Sequence, residues 1–178
     1  MPSASFNPRG DQGRTVQIGE ISVDAPTQRL IESNVEPRWG QFLRTWEALA
    51  AAKGRYPSRT EVDPAALGGR LLPNVFLVDV VAGGKQPRFR FRLLGQAILD
   101  RESTRTGDFL DALGAAAEIV KIERHYRACI DGKVSVRTAS LVWSDSRKDH
   151  LKYSAMMLPL SDDGETVTHM IGLALYEF

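Results

Sequence analysis

One cysteine, Cys129, and three histidines are the only cysteine and histidine side chains in this chain of 178 residues. A lone cysteine excludes an internal disulfide and a cysteine-rich zinc site. His150 and His169 fall on different expected strands, with no ligand-like spacing to each other or to carboxylates, so no metal site is expected. No apolar run is long enough to span a bilayer. The N-terminal stretch MPSASFNPRGDQGRT lacks the apolar core of a secretory signal. A formal net charge of +1 gives no reason to expect nucleic acid or an anionic membrane as partner. There is no phosphate loop, no nucleophile elbow and no gathered His–carboxylate–nucleophile set, so no catalytic residue is expected. What remains is the composition of a cytoplasmic, soluble protein, 43% hydrophobic and 25% charged, sized for one domain and an appendage.

The strongest positive signal is residues 75–95, VFLVDVVAGGKQPRFRFRLLG. They read as a β-hairpin. In the second arm Phe89, Phe91 and Leu93 alternate with Arg88, Arg90 and Arg92, the period of a strand. In the first arm Phe76, Val78 and Val80 form one row and Val75, Leu77, Asp79 and Val81 the other, so both faces need cover. Pairing Val81 with Arg88 sets Asp79 opposite Arg90, and Phe76, Val78 and Val80 opposite Leu93, Phe91 and Phe89.

Residues 1–33 are polar and rich in Pro, Gly, Ser and Gln, and read as a flexible N-terminal arm. The short alternation Val16, Ile18, then Ile21, Val23 is a weaker candidate strand within it. An amphipathic helix follows over 34–54. Ser33 and Glu36 have capping-box spacing, Pro37 falls in the first turn, and Gly54 is the expected left-handed cap. Its stripe is Val35, Trp39, Phe42, Leu43, Trp46, Leu49 and Ala50. Asp63-Pro64 opens a short helix to about Leu72, Gln96–Arg101 is a turn of helix, and Asp111–Asp131 is a longer one. Three strands close the chain: Val134–Trp143, His150–Leu160 and Thr166–Phe178, joined by SDSRK and SDDGE turns. The order is an N-terminal helix followed by β-β-α-α-β-β-β, an α+β fold with a five-stranded antiparallel sheet.

In this order, Trp46, YPSRTEVDP (56–64), LLPNVFLVDV (71–80), FRFRLLG (89–95), Thr106-Gly107 and MLPLSDDG (157–164) resemble a PAS domain, and more narrowly a compact alphaproteobacterial subfamily of PAS-like proteins. The likeness covers nearly all of 34–178, with the core at 75–178. It implies a sensory or regulatory module in signal transduction. Such a module binds a small molecule between sheet and long helix, or dimerises through the outer sheet face and an N-terminal helix. With no effector segment after Phe178, the expected output is protein–protein contact, with a two-component kinase as a candidate partner.

The resemblance places the ligand pocket among Phe76, Val78, Phe89, Phe91, Ile119, Ile122 and Tyr126. His125 stands where some PAS sensors put a haem ligand. A lone histidine among Glu123, Arg124 and Arg127 favours a boundary residue instead, and no cofactor is expected. Cys129 lacks the signature of a flavin–thiol photosensor and reads as a small buried hydrophobe. Arg88, Arg90 and Arg92 read as a solvated row, with Asp79 neutralising Arg90, in preference to an anion site. Trp39, Phe42, Leu43 and Trp46 are expected to cover the sheet's outer row, in their own chain or across a homodimer. Two rival readings stand. One is a small α+β enzyme or carrier with a hydrophobic pocket and His125 or Tyr126 as acid–base group. The other is a ligand-free dimeric interaction module.

Overall fold

The computed structural model describes residues 20–114, 116–140 and 152–177. The elements are β1 (Ser22–Val23), α1 (Ala25–Ser33), α2 (Pro37–Lys53), α3 (Pro64–Leu67), β2 (Val75–Val81), β3 (Arg88–Leu94), α4 (Gln96–Leu99), α5 (Ala116–Ile130), β4 (Lys133–Val134), β5 (Val136–Ser140), β6 (Lys152–Leu160) and β7 (His169–Glu177). The main sheet runs β3-β2-β7-β6-β5, antiparallel throughout, with the last strand in the middle. That position explains why β7 is apolar on both faces.

Helices cover both faces. On the inner side α5 lays Ile119, Ile122, Tyr126 and Cys129 over Phe76, Val78, Phe89, Phe91 and Met170. On the outer side α2 lays Trp39, Phe42, Leu43 and Trp46 over Val75, Leu158, Ile171 and Leu173. These four α2 side chains are 1–5% exposed, and burying groups of that size contributes about 1.5–3 kcal/mol each. The tryptophan stripe is therefore used within its own chain. Of the outer row of β2, Val75 and Leu77 lie under it, and Val81 does not.

Trp46 also fixes α2 on the sheet by a hydrogen bond. β5 pairs with β6 only as far as Met156, so Pro159 lies beyond the β5 pairing, and among the described residues no strand pairs with it on that side. Its missing N–H costs nothing there. Its carbonyl accepts the Trp46 indole N–H at 2.8 Å.

The hairpin register agrees with the sequence reading from Val81–Arg88 to Val78–Phe91, and then shifts. A bulge between Leu77 and Val78 sets Leu77 opposite Leu93 and Phe76 opposite Leu94. Leu93 is thus 48% exposed while Leu94 joins the inner core. The bulge leaves Arg92 unpaired in the ladder and free to turn back, so Asp79 receives both Arg90 at 2.9 Å and Arg92 at 2.7 Å. The far edge of β3 is closed by the segment after α4: Gly107 N–H donates to Phe91 O, and Phe91 N–H to Asp108 O.

Four sequence expectations need correction. Residues 25–33, read as arm, are helix α1, capped by Asp24, whose carboxylate accepts from Thr27 N–H at 3.0 Å. Its latch is tertiary: Val136 N–H donates to the buried Thr27 hydroxyl at 2.8 Å, and Arg137 pairs with Asp24 at 2.9 Å. Ser22–Val23 is a strand, but it pairs with Lys133–Val134 of its own chain. Residues 1–19 lie outside those described. Second, Ser33 and Glu36 are not one capping box. Ser33 ends α1, Asn34 turns left-handed at φ 52°, and Glu36 caps α2. Val35, between the two helices, is 82% exposed instead of joining the stripe. Third, α3 stops at Leu67, because Gly68 takes φ +80°. Fourth, the long helix begins only at Ala116, after a 3-10 turn over Leu110–Ala112. The end of the expected strand at Trp143, its turn and His150 lie outside the described residues.

Candidate functional site

All seven residues expected to form a pocket are in the inner core. They do not all face a space. A cavity of about 20 Å³ is walled by Phe76, Phe91 and Tyr126 from that set, and by Leu94, Ile98, Glu102, Tyr153 and Ala174 besides. Val78, Phe89, Ile119 and Ile122 pack against neighbours instead. Phe89 meets the Tyr126 ring edge-on at 5.2 Å, which holds that ring in place. Gly172 is what admits Phe76: a Cβ there would run into the Phe76 ring lying across β7.

One end of the cavity is polar. Ile98 O accepts Glu102 N–H at 2.8 Å, so the chain after α4 makes one more helical turn and buries the Glu102 side chain. Glu102 accepts the Tyr176 hydroxyl at 2.6 Å, and Arg101 stacks on the Tyr176 ring at 5.1 Å. Burial, then the Glu102 charge, pushes the Tyr176 and Tyr153 phenols well above the usual range. The Tyr126 phenol is raised by burial and by the nearby Tyr153 and Glu102. Tyr126 is only 6% exposed; among the described residues the buried side-chain polar atom without a hydrogen-bond partner is the Thr104 hydroxyl. Cys129, also raised by burial, sits on the same stripe as an inert small hydrophobe.

Sequence reasoning missed Glu102, Tyr153 and Tyr176. The inward row Tyr153, Ala155, Met157 is legible as a β alternation, so Tyr153 had a signal. Glu102 had none, being one acid in a stretch read as loop.

His125 turns away from this cavity. Its Nε2 donates to Ser135 O at 2.9 Å, in the break between β4 and β5. Burial pulls its pKa down to about 4; the Ser135 carbonyl partly offsets this, and Arg137 adds to it. The imidazole is not part of the cavity wall, so its position lends the haem-ligand reading no support.

The arginine row is paired throughout. Arg88 holds Asp111 through two hydrogen bonds, at 2.7 and 2.8 Å, over the Phe109 ring, and Arg90 and Arg92 share Asp79. Burial alone would raise the Asp79 pKa, but the hydrogen bonds from Arg92 and Arg90 bring it below the usual value. Each arginine of the row thus has a carboxylate partner, two of them sharing one.

A second concavity lies on the outer side between α1 and α2, about 420 Å³, with Leu30, Val35, Trp39, Val136 and Leu175 as its apolar part and Glu36, Arg38 and Glu177 at its rim. Among the described residues no helix is long and apolar enough to cross a membrane, and no three metal-ligating side chains gather.

Two helical layers around a five-stranded antiparallel sheet with the last strand central, and a small polar-ended cavity under the long helix, agree with a match of the PAS domain family model to residues 36–175. The chain belongs to the PAS domain family. PAS domains are sensory and regulatory modules of signalling, typically without enzymatic activity, and they often mediate protein contacts and dimerisation. No curated protein and no solved structure matches the chain.

Proposed function

We propose that this PAS domain is a sensory module whose input is a small molecule in the inner cavity and whose output is protein–protein contact. The observation that carries the reading is the cavity under α5, whose wall brings the Glu102 carboxylate and the Tyr126 and Tyr153 phenols together among apolar side chains. A few convergent polar groups in an apolar pocket are what orients a small ligand. The cavity as it stands holds about one water. Anything larger must displace Tyr126 or α4, and that converts occupancy into movement.

A route outward exists in contiguous bonds. His125, the residue before Tyr126 on α5, holds Ser135; next to Ser135, Val136 N–H holds Thr27 of α1, and Arg137 holds Asp24. Movement of α5 would load the latch of α1, one wall of the outer concavity. The module forms a homodimer through that concavity, where only Trp39 of the four stripe residues takes part, and passes its state to a signalling partner such as a two-component kinase. No haem is part of the reading.

The enzyme alternative is weaker on specific grounds. His125 is committed to a backbone carbonyl, and Tyr126, raised by burial, is a poor proton donor or base near neutral pH. Native mass spectrometry of gently purified protein tests the proposal. A small-molecule excess mass on a two-chain ion supports it; bare chains overturn the input half, and one-chain ions at high concentration overturn the dimer.

A further inference from the structure

We infer that the inner cavity is selective for a small primary alkylammonium ion, held by its –NH3+ group. This deepens the proposed function and rests on the cavity being the module's input. Four aromatic residues, Phe76, Phe91, Tyr126 and Tyr153, and the Glu102 carboxylate make up most of its wall. Aromatic rings around a cation, with a carboxylate at one end, attract ammonium groups through the ring quadrupole and through charge. A desolvated setting strengthens both attractions, because the low local dielectric screens them less. Among the described residues no lysine, arginine or histidine lines the space, and the wall so described does not suit an anion. Arg101 stacks on Tyr176 and is not part of the wall.

Size narrows the class. About 20 Å³ admits a group the size of water, which an –NH3+ head is and a quaternary ammonium is not. Hydrogen-bond inventory narrows it again. An ammonium offers three donors, and the Glu102 carboxylate and the Tyr126 oxygen in the wall can both accept. A carboxylic acid or a phosphate would bring acceptors to a site that already has them. The alkyl part exceeds the space as it stands and displaces Tyr126 or α4, against the apolar wall of Leu94, Ile98 and Ala174.

The test uses isotope-labelled full-length protein followed by amide NMR. Methylammonium chloride is titrated against matched potassium chloride and methanol, the first a cation without N–H donors and the second a neutral molecule of similar size. With so few atoms the affinity is expected in the millimolar range. Methylammonium should give saturable shifts at Glu102, Tyr126 and Tyr153. Glu102→Gln should raise the midpoint at least tenfold, and Tyr126→Phe about threefold. Tyr126→Phe also serves if Glu102→Gln does not give a native-like spectrum. Equal shifts with potassium chloride overturn the inference, as does a wild-type midpoint in Glu102→Gln or, in its place, in Tyr126→Phe. Saturable shifts with methanol alone overturn ammonium selectivity and leave the cavity as input. No saturable shift with any probe, together with no retained mass in native mass spectrometry, overturns both.

Discussion

Tyr176, on the central strand, donates its hydroxyl to Glu102 across 2.6 Å, joining the sheet to the turn that follows α4. The bond closes one end of the inner core. Tyr176→Phe deprives a buried carboxylate of a donor, and should cost about 1–3 kcal/mol in urea unfolding. In a double-mutant cycle with Glu102→Gln the two changes should be clearly non-additive. Additive effects would mean the pair is incidental.

Trp46 should matter within a single chain. Trp46→Phe loses ring volume from the outer core and leaves the Pro159 carbonyl without its donor. The expected loss is about 2–4 kcal/mol, unchanged when protein concentration varies tenfold. A loss that appears only as the protein is diluted would place the stripe at a subunit interface instead.

Val35 gives the opposite expectation. It is 82% exposed and belongs to the outer concavity. Val35→Glu should leave monomer stability within about 0.5 kcal/mol, while shifting sedimentation from dimer to monomer. A variant that still sediments as the wild type does would exclude this concavity as the dimer surface.

His125 makes stability depend on acidity. Its folded pKa, about 4, lies below its ordinary 6.5, so folding favours the neutral ring. That contribution is complete above about 6.5 and is lost as pH falls from there toward 4, on the order of 3 kcal/mol in all. Glu61, held near 2 by Ser58 N–H and Arg55, acts mainly below this window. His125→Gln keeps a donor for Ser135 and should flatten the stability profile between pH 6.5 and 4. An unchanged slope would assign it to other groups.

Much of this was legible in the chain because alternation and helical spacing are direct consequences of burial. Phe89 and Phe91 against Arg88 and Arg90 fixed both faces of β3 and its pairing as far as Val78. The register beyond that was not legible, because Leu93 and Leu94 are the same residue and either could turn inward. Helix α1 escaped notice because its hold on the sheet comes from Asp24 and Thr27, polar residues whose partners are more than 100 positions away. Of the cavity wall, Phe76 and Phe91 were readable from the strand alternation and Tyr126 from the α5 stripe, but the polar end was not. A single glutamate acquires meaning only when a tyrosine 74 residues later meets it.

The central claim is that the cavity under α5 is an input site. Ala174, 3% exposed on β7, lines it opposite the aromatic wall, and Ala174→Leu would fill a space of about 20 Å³. Native mass spectrometry of wild type and this variant, expressed and purified identically, is the most direct measurement. A small-molecule excess mass is expected on the wild type and not on the variant. The same excess on both proteins, or none on the wild type, would contradict it.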